Sequence, residues 1–195
     1  MKEPNQNESL LDRAILFAVE AHRGMLRKDK KTPYILHPME AATIAGSMTS
    51  DPEILAAACL HDTVEDTPVT QDRIRTLFGE RVADLVASET EDKRADLPPE
   101  LTWLLRKEES LRVLKESKDE GVKILWLSDK LANMRTFYRS YLVKGNDLWK
   151  AFHQSDPAKQ AWYYRSILEL TASLSGHAAW KEYQNLLNKV FEGVN

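Results

Sequence analysis

The sequence is poor in cysteine and has no long apolar run. A single cysteine, Cys59, stands among 195 residues, so no disulfide can form within the chain, which is typical of a reducing compartment. No apolar segment approaches the roughly 18 residues of a membrane-spanning helix. The N-terminal segment "MKEPNQNESL" also lacks the apolar core of a signal peptide. These absences predict a cytoplasmic protein.

The sequence also lacks a strong excess of charge of one sign. Its 27 Lys and Arg residues stand against 30 Asp and Glu residues, which gives a formal net charge of −3. This balance argues against a general binder of nucleic acid polymers or of membrane surfaces. A small anionic substrate is still compatible with it, because local basic clusters can exist on a mildly acidic protein.

Helical periodicity dominates what is present, and we find no convincing alternating strand, internal repeat or linker. The segment "SDPEILAAACLHDTVED" has a cap at Ser50 or Asp51 and is apolar on every side, which is typical of a helix at the centre of a bundle. A further helix is expected to begin at Pro38. The sequence therefore predicts a single all-α domain over residues 1–195, with a core at about residues 10–190 and about eight helices.

Ionisable residues follow several apolar segments. His61 and Asp62 come directly after the apolar "ILAAACL", where burial of charge is costly unless something compensates for it. His37 precedes Pro38 in "TPYILHP", which favours a fixed junction between loop and helix. Asp129 follows the apolar "ILWLS". Each residue alone is more consistent with a structural role, but together they offer two imidazoles and two carboxylates, which suit Mn²⁺ or Fe²⁺.

Glu65 and Asp66 lie one helical turn after His61 and Asp62. This spacing places them to contact a water beside a metal rather than the metal itself, and a carboxylate can orient such a water or take its proton. The structural alternative is an ordinary solvated helix end, since "TP" follows at once.

Other residues are candidates for substrate contacts. The basic segment "RKDKK", residues 27 to 31, is compatible with a solvated loop or with a site for phosphates and a base. Asn133 lies one turn after Asp129, where it can touch a ligand or the substrate. His22 is interpreted as a histidine of the core or of the outer shell of the site. The aromatic residues of "AWYY" are interpreted as core more readily than as a substrate platform.

The order of four motifs resembles the HD-domain hydrolases of the RelA/SpoT type, specifically the stand-alone small alarmone hydrolases. These motifs are "HRGMLRKDKKTPYILHP", "LHDTVEDT", "FGERVADLV" and "LSDKLANMRT". The resemblance implies Mn²⁺-dependent hydrolysis of (p)ppGpp at the 3′ position, which yields GDP or GTP and pyrophosphate. It implies metal ligands at His37, His61, Asp62 and Asp129, water-activating acids at Glu65 and Asp66, and substrate contacts at Arg27, Lys28, Lys93, Asn133 and Tyr163.

The sequence departs from the family pattern at two places. The loop "DKKT" is more basic than the common small-residue version, and Ser128 stands where alanine is frequent. No room follows residue 190 for a synthetase domain, so hydrolysis without synthesis is expected. Two alternatives stay open: a phosphatase of another nucleotide such as NADPH, and a non-catalytic helical module that senses a metal or a nucleotide. Oligomerisation is compatible with all three.

Overall fold

The computed structural model describes residues 9–94 and 96–194, and these contain ten α-helices and no strand beyond one isolated bridge. The predicted all-α class is confirmed, with more helices than the eight or so expected. The chain divides into two compact units, Met1–Thr90 and Glu91–Asn195. That the whole chain acts as one domain stays a prediction.

The first unit is built around one buried helix. Its helices are α1 (Leu10–Ala21), α2 (Leu36–Gly46), α3 (Pro52–Leu60), α4 (Thr63–Asp66), α5 (Gln71–Phe78) and α6 (Glu80–Glu89). Helix α3 packs against α1, α2 and α6. Burial of Ile54, of the segment from Ala56 to Ala58 and of Cys59 and Leu60 explains why this segment is apolar all round.

Helix α3 begins as predicted but ends earlier than predicted. The Asp51 carboxylate accepts a hydrogen bond from the backbone N–H of Glu53 at 2.9 Å, which caps the first turn. The helix stops at Leu60, whose carbonyl accepts a hydrogen bond from the Thr63 hydroxyl at 2.6 Å. Such a side-chain bond competes with the helical ladder. The separate one-turn helix α4 follows.

Helix α2 begins at Leu36, two residues before the predicted start at Pro38. Proline is tolerated there because the N–H groups of a first turn have no partner within the helix. His37 therefore lies inside the first turn of α2, and its backbone N–H donates to the carbonyl of Tyr34 at 2.9 Å. Its place at the junction between loop and helix is as expected.

The second unit is organised by one long helix. Its helices are α7 (Pro99–Glu116), α8 (Glu120–Lys144), α9 (Pro157–Leu170) and α10 (Ala178–Val190), with 3-10 turns at Gly145–Ala151 and Ala172–Leu174. Helix α8 packs against α7, α9 and α10. The Arg135 guanidinium donates to both carboxylate oxygens of Glu182, at 2.6 and 2.7 Å, and this bidentate pair ties α8 to α10.

The sequence predicts neither a membrane-spanning helix nor a signal peptide. No helix in the described part of the chain is both long and apolar enough to cross a membrane. Most of the segment in which a signal peptide was sought, residues 1–8, lies outside the described residues.

Candidate metal centre

Three of the predicted metal ligands converge within the first unit. The Nε2 atoms of His37 and His61 lie 3.4 Å apart. The Oδ2 atom of Asp62 lies 3.5 Å from the first nitrogen and 3.3 Å from the second. Both imidazoles are almost fully buried, and the Asp62 side chain retains 18% exposure. Donor atoms from α2 and from the two residues between α3 and α4 are therefore gathered around one point.

The orientation of His61 suits a metal ligand. Its Nδ1 atom lies 2.8 Å from the backbone carbonyl of Ala58, which can only accept. This contact places the proton of the neutral ring on Nδ1 and leaves the lone pair of Nε2 directed toward the other donors. A histidine ligand is commonly fixed in this way by a backbone carbonyl.

The spacing and chemistry of the cluster fit a divalent ion. Ligand atoms about 2.1 Å from one ion, at tetrahedral to octahedral angles, stand about 3.0 to 3.5 Å apart. The three measured separations lie within this range. Two imidazole nitrogens and a carboxylate oxygen form a mixed donor set that suits Mn²⁺, Fe²⁺ or Zn²⁺. The residues present therefore fit a bound metal.

Tyr34 joins this cluster, although the sequence did not single it out. Its hydroxyl lies within hydrogen-bond distance of the Oδ2 atoms of both Asp62, at 2.8 Å, and Asp66. Burial and the two carboxylates raise the pKa of Tyr34 far above its usual range, so the phenol stays protonated and acts as a donor. Tyr34 therefore links a predicted metal ligand to a predicted water-activating acid.

The ring of Tyr34 contacts two more side chains. The imidazole of His22 stacks on it, with ring centroids 4.9 Å apart. The guanidinium carbon of Arg27 lies 5.4 Å from the centroid of the same ring. Arg27, which was predicted to contact substrate, is thereby tied to the residue that contacts both carboxylates. Its neighbour Lys28 is exposed.

His22 is buried, with 2% exposure, as its interpretation as a core or outer-shell histidine predicts. Neither ring nitrogen has a hydrogen-bond partner among the described residues. Burial lowers the pKa of His22 below 6.5, and this effect outweighs the attraction of nearby Asp62 and Asp66. The folded protein therefore holds this imidazole neutral.

We expect His22 to make stability dependent on pH. Above the ordinary histidine pKa, His22 is unprotonated in both the folded and the unfolded chain. Its full contribution to the free energy of unfolding should therefore be present there. As the pH falls below about 6.5, the unfolded chain takes up a proton before the folded chain does. The free energy of unfolding should then fall by up to about 1.4 kcal/mol per pH unit. Urea unfolding between about pH 5 and pH 8 should give a flatter profile for His22→Phe than for wild type. The exposed His153 supplies the control His153→Phe; equal slopes for all three proteins would contradict the prediction.

The basic loop after Arg27 is closed by its own aspartate. The Asp29 carboxylate accepts hydrogen bonds from the backbone N–H groups of Lys31 and Thr32, both at 2.9 Å, and from the Thr32 hydroxyl at 2.6 Å. These hydrogen bonds lower the pKa of the Asp29 carboxyl to about 2, and the two from Thr32 have the largest effect. Lys30 adopts a left-handed backbone with φ of 58°. Asp29 thus fixes a turn that leaves the neighbouring lysines exposed.

Glu65, the other predicted acid, lies on α4 and is half-buried. The backbone N–H of Asp66 donates to the carbonyl of Asp62 at 3.0 Å. The helix-like spacing expected between Asp62 and Asp66 is therefore kept, even though α3 and α4 are separate helices.

The remaining predicted ligand, Asp129, lies in the second unit on α8 and is buried, with 4% exposure. Its carboxylate pairs with the ammonium of Lys130 and accepts a hydrogen bond from the Asn133 amide at 2.8 Å. Asn133 thus contacts a predicted ligand, as its spacing suggested. Ser128, the departure from alanine, donates to the carbonyl of Ile124 within α8 at 2.6 Å. The part of Asp129 in metal binding stays a prediction.

The predicted substrate contacts of the second unit differ in exposure. Lys93 is exposed, whereas Tyr163 is almost fully buried, at 2%. The ammonium of Lys107 lies 4.7 Å from the ring centroid of Tyr163, and it also pairs with the carboxylate of Glu91. Glu91 keeps a lowered pKa in spite of burial, because Lys107 and Arg106 stabilise its charge. The interpretation of Tyr163 as a core residue agrees with this burial.

Comparison with known proteins places this arrangement in a family. The HD domain model matches residues 14–151. A GTP pyrophosphokinase rsh from Brucella melitensis is 39% identical over 136 residues, which is 69% of this chain and 18% of that protein. The guanosine-3′,5′-bis(diphosphate) 3′-pyrophosphohydrolase MESH1 of Xenopus tropicalis is 38% identical over 142 residues, which is 69% of this chain and 73% of that protein.

A solved structure supports the fold. It is described as a metazoan ortholog of SpoT that hydrolyses ppGpp, and the match has a TM-score of 0.71 over 98% of this chain and 100% of that one. Its sequence identity of 23% limits this likeness to the fold. The resemblance that the motifs indicated is confirmed by the family match and by the Xenopus relative. The chain belongs to the HD domain family.

Proposed function

We propose that the chain is a metal-dependent phosphohydrolase that uses Mn²⁺ to cleave (p)ppGpp at the 3′ position, releasing pyrophosphate and GDP or GTP. The observation that carries the proposal is the convergence of His37, His61 and Asp62, with Asp66 joined to them through one hydroxyl. The Xenopus relative named for this reaction supports the choice of substrate. The single buried Cys59 supports a cytoplasmic setting. Absence of a synthetase activity stays a prediction.

The proposed ligands are His37, His61, Asp62 and Asp129. The first three supply the convergent donors of the first unit, and Asp129 is added on the resemblance of "LSDKLANM" to the family motif. A buried carboxylate on α8 is chemically suited to this role, because oxygen donors favour Mn²⁺ over softer ions. The donation from Asn133 supports it by holding one carboxylate oxygen.

The reaction replaces the ester bond to the ribose 3′ oxygen by a bond to a water oxygen. A bound divalent ion lowers the pKa of water and offsets charge on a phosphoryl oxygen. Glu65 and Asp66 would orient the attacking water and accept its proton. The water oxygen attacks the phosphorus that carries the 3′ oxygen, and the bond to that oxygen breaks. The 3′ oxygen takes up a proton and pyrophosphate leaves.

Cationic side chains would bind the nucleotide. Arg27 is suited to both phosphate and base, because a planar guanidinium stacks and donates paired hydrogen bonds. Its neighbour Lys28 lies at the exposed start of the turn that Asp29 fixes, where a phosphate can reach it. The resemblance adds Lys93, Asn133 and Tyr163 to this set. Because the side chain of Tyr163 is buried, its neighbours would have to move before it could contact a substrate.

The first test is the identity of the phosphorus-containing product. Purified protein with Mn²⁺ is expected to convert ppGpp to GDP and pyrophosphate, because attack at the phosphorus bonded to the 3′ oxygen keeps both phosphorus atoms together. Chromatography of the products at early times measures this directly, and His61→Ala serves as the inactive control. Orthophosphate as the first product, or turnover of NADPH but not of ppGpp, would move the assignment to another nucleotide phosphatase. Binding without turnover of either would favour a sensing module.

A further inference from the structure

We propose that Tyr34 is a positioning residue whose hydroxyl keeps Asp66 available to water by preventing it from becoming a ligand of the metal. The proposal rests on the proposed function for the reaction itself, but the behaviour of Asp66 toward a metal is independent of the substrate. Neither the sequence motifs nor the resemblance assigned a role to this tyrosine.

One hydroxyl lies between the two carboxylates. The oxygen of Tyr34 contacts the Oδ2 atom of Asp62 at 2.8 Å and also contacts the Oδ2 atom of Asp66. The same Asp62 oxygen lies 3.3 Å from the Nε2 atom of His61, so it is the oxygen that faces the other donors. Asp66 is thus held one hydroxyl away from the proposed metal ligand.

Without that hydroxyl, Asp66 would compete for the ion. A carboxylate with rotational freedom beside a divalent cation is attracted by charge and suits Mn²⁺ as a donor. Ligation would occupy the lone pair that a general base needs, and it would fill a coordination position that water or substrate requires. A phenol is neutral and has no such attraction, so it can separate the two groups without adding charge.

The position of the phenol is itself constrained. His22 stacks on the ring of Tyr34, and the Arg27 guanidinium lies over the same ring. His22 is buried at the end of α1, and the backbone of Tyr34 donates to the carbonyl of Met25 at 2.9 Å. The hydroxyl is therefore carried by a ring with little freedom to turn away.

A double-substitution cycle tests this role. We expect Tyr34→Phe to lower kcat for ppGpp about 10- to 100-fold, as is common when a group that orients the site is removed. The decisive readout is Mn²⁺ affinity of the full-length chain by calorimetry. In the wild-type background Asp66→Asn should change the Kd little. In the Tyr34→Phe background the same substitution should weaken binding by at least about 10-fold, because Asp66 has become an additional ligand there.

Tyr183→Phe is the matched control. It also removes a buried hydroxyl, which lies on α10 in the second unit and donates to the carbonyl of Tyr164 at 2.9 Å. In that background the effect of Asp66→Asn on the Kd should equal the effect in wild type. An equal effect in the Tyr34→Phe background would overturn the proposal. Failure of the wild type to hydrolyse ppGpp would instead overturn the proposed function, while the Mn²⁺ cycle still decides the role of Tyr34.

Discussion

Replacing Asp66 by asparagine, or Glu65 by glutamine, is expected to lower kcat for ppGpp about 10²- to 10⁴-fold, the usual effect of losing a general base. Bound Mn²⁺ and the melting temperature should stay close to wild type. Each carboxamide keeps the size of the acid it replaces but cannot accept a proton. The amide oxygen at position 66 can still accept the hydrogen bond of Tyr34, so the local packing should persist.

Two exposed acids provide matched controls for these variants. Asp72→Asn on α5 and Glu100→Gln on α7 make the same chemical changes at the surface. Neither control should change kcat. If Asp66→Asn and Glu65→Gln retained wild-type kcat at saturating Mn²⁺, the proposed use of these acids would be wrong, and α4 would be an ordinary solvated helix end.

The buried helix α3 shows which part of the fold the sequence predicts well. Its apolar residues occupy every side, and only a central position among other helices satisfies such a pattern. The same property locates the candidate site, because ionisable residues directly after a buried helix require compensation. His61 and Asp62 were singled out on that reasoning and combined with His37 and Asp129 into a candidate ligand set, and their donor atoms converge with that of His37.

Helix ends were predicted less well because single side chains decide them. The bond from the Thr63 hydroxyl to the carbonyl of Leu60 separates α3 from α4, and periodicity carries no sign of it. At the start of α2, Leu36 and His37 are helical although a proline follows. Proline disfavours a helical conformation in the residue before it. In the first turn of a helix, however, the backbone N–H groups have no partner within the helix, so a proline there costs no hydrogen bond.

Tyr34 was missed because its partners are distant in sequence. It lies in a loop outside any periodic segment, and Asp62 and Asp66 follow 28 and 32 residues later. A signal was present nonetheless, since a tyrosine stands three residues before the predicted ligand His37. The backbone N–H of His37 donates to the carbonyl of Tyr34, which fixes the spacing of the two residues. A site that contains His37 therefore has Tyr34 close to it.

Replacing a metal ligand should have a different result from replacing a water-handling acid. In Asp62→Asn and His61→Ala we expect Mn²⁺ affinity to fall by more than about 100-fold, since loss of a direct ligand exceeds the usual effect of an outer-shell change. Bound metal stabilises only the folded state, so the melting temperature in a fixed Mn²⁺ concentration should fall with the occupancy. The kcat should fall in parallel with the bound metal.

Metal analysis after dialysis, calorimetric Mn²⁺ titration and thermal melting on the same samples measure these effects. Exposed His153 and Asp72 provide the controls His153→Ala and Asp72→Asn, which should bind Mn²⁺ as wild type does. Asp129→Asn extends the test to the second unit, and its affinity should fall as that of Asp62→Asn does. Negligible metal in both wild type and His61→Ala would contradict the metal site itself. Normal metal in Asp129→Asn alone would leave the three donors of the first unit as the site and remove Asp129 from it.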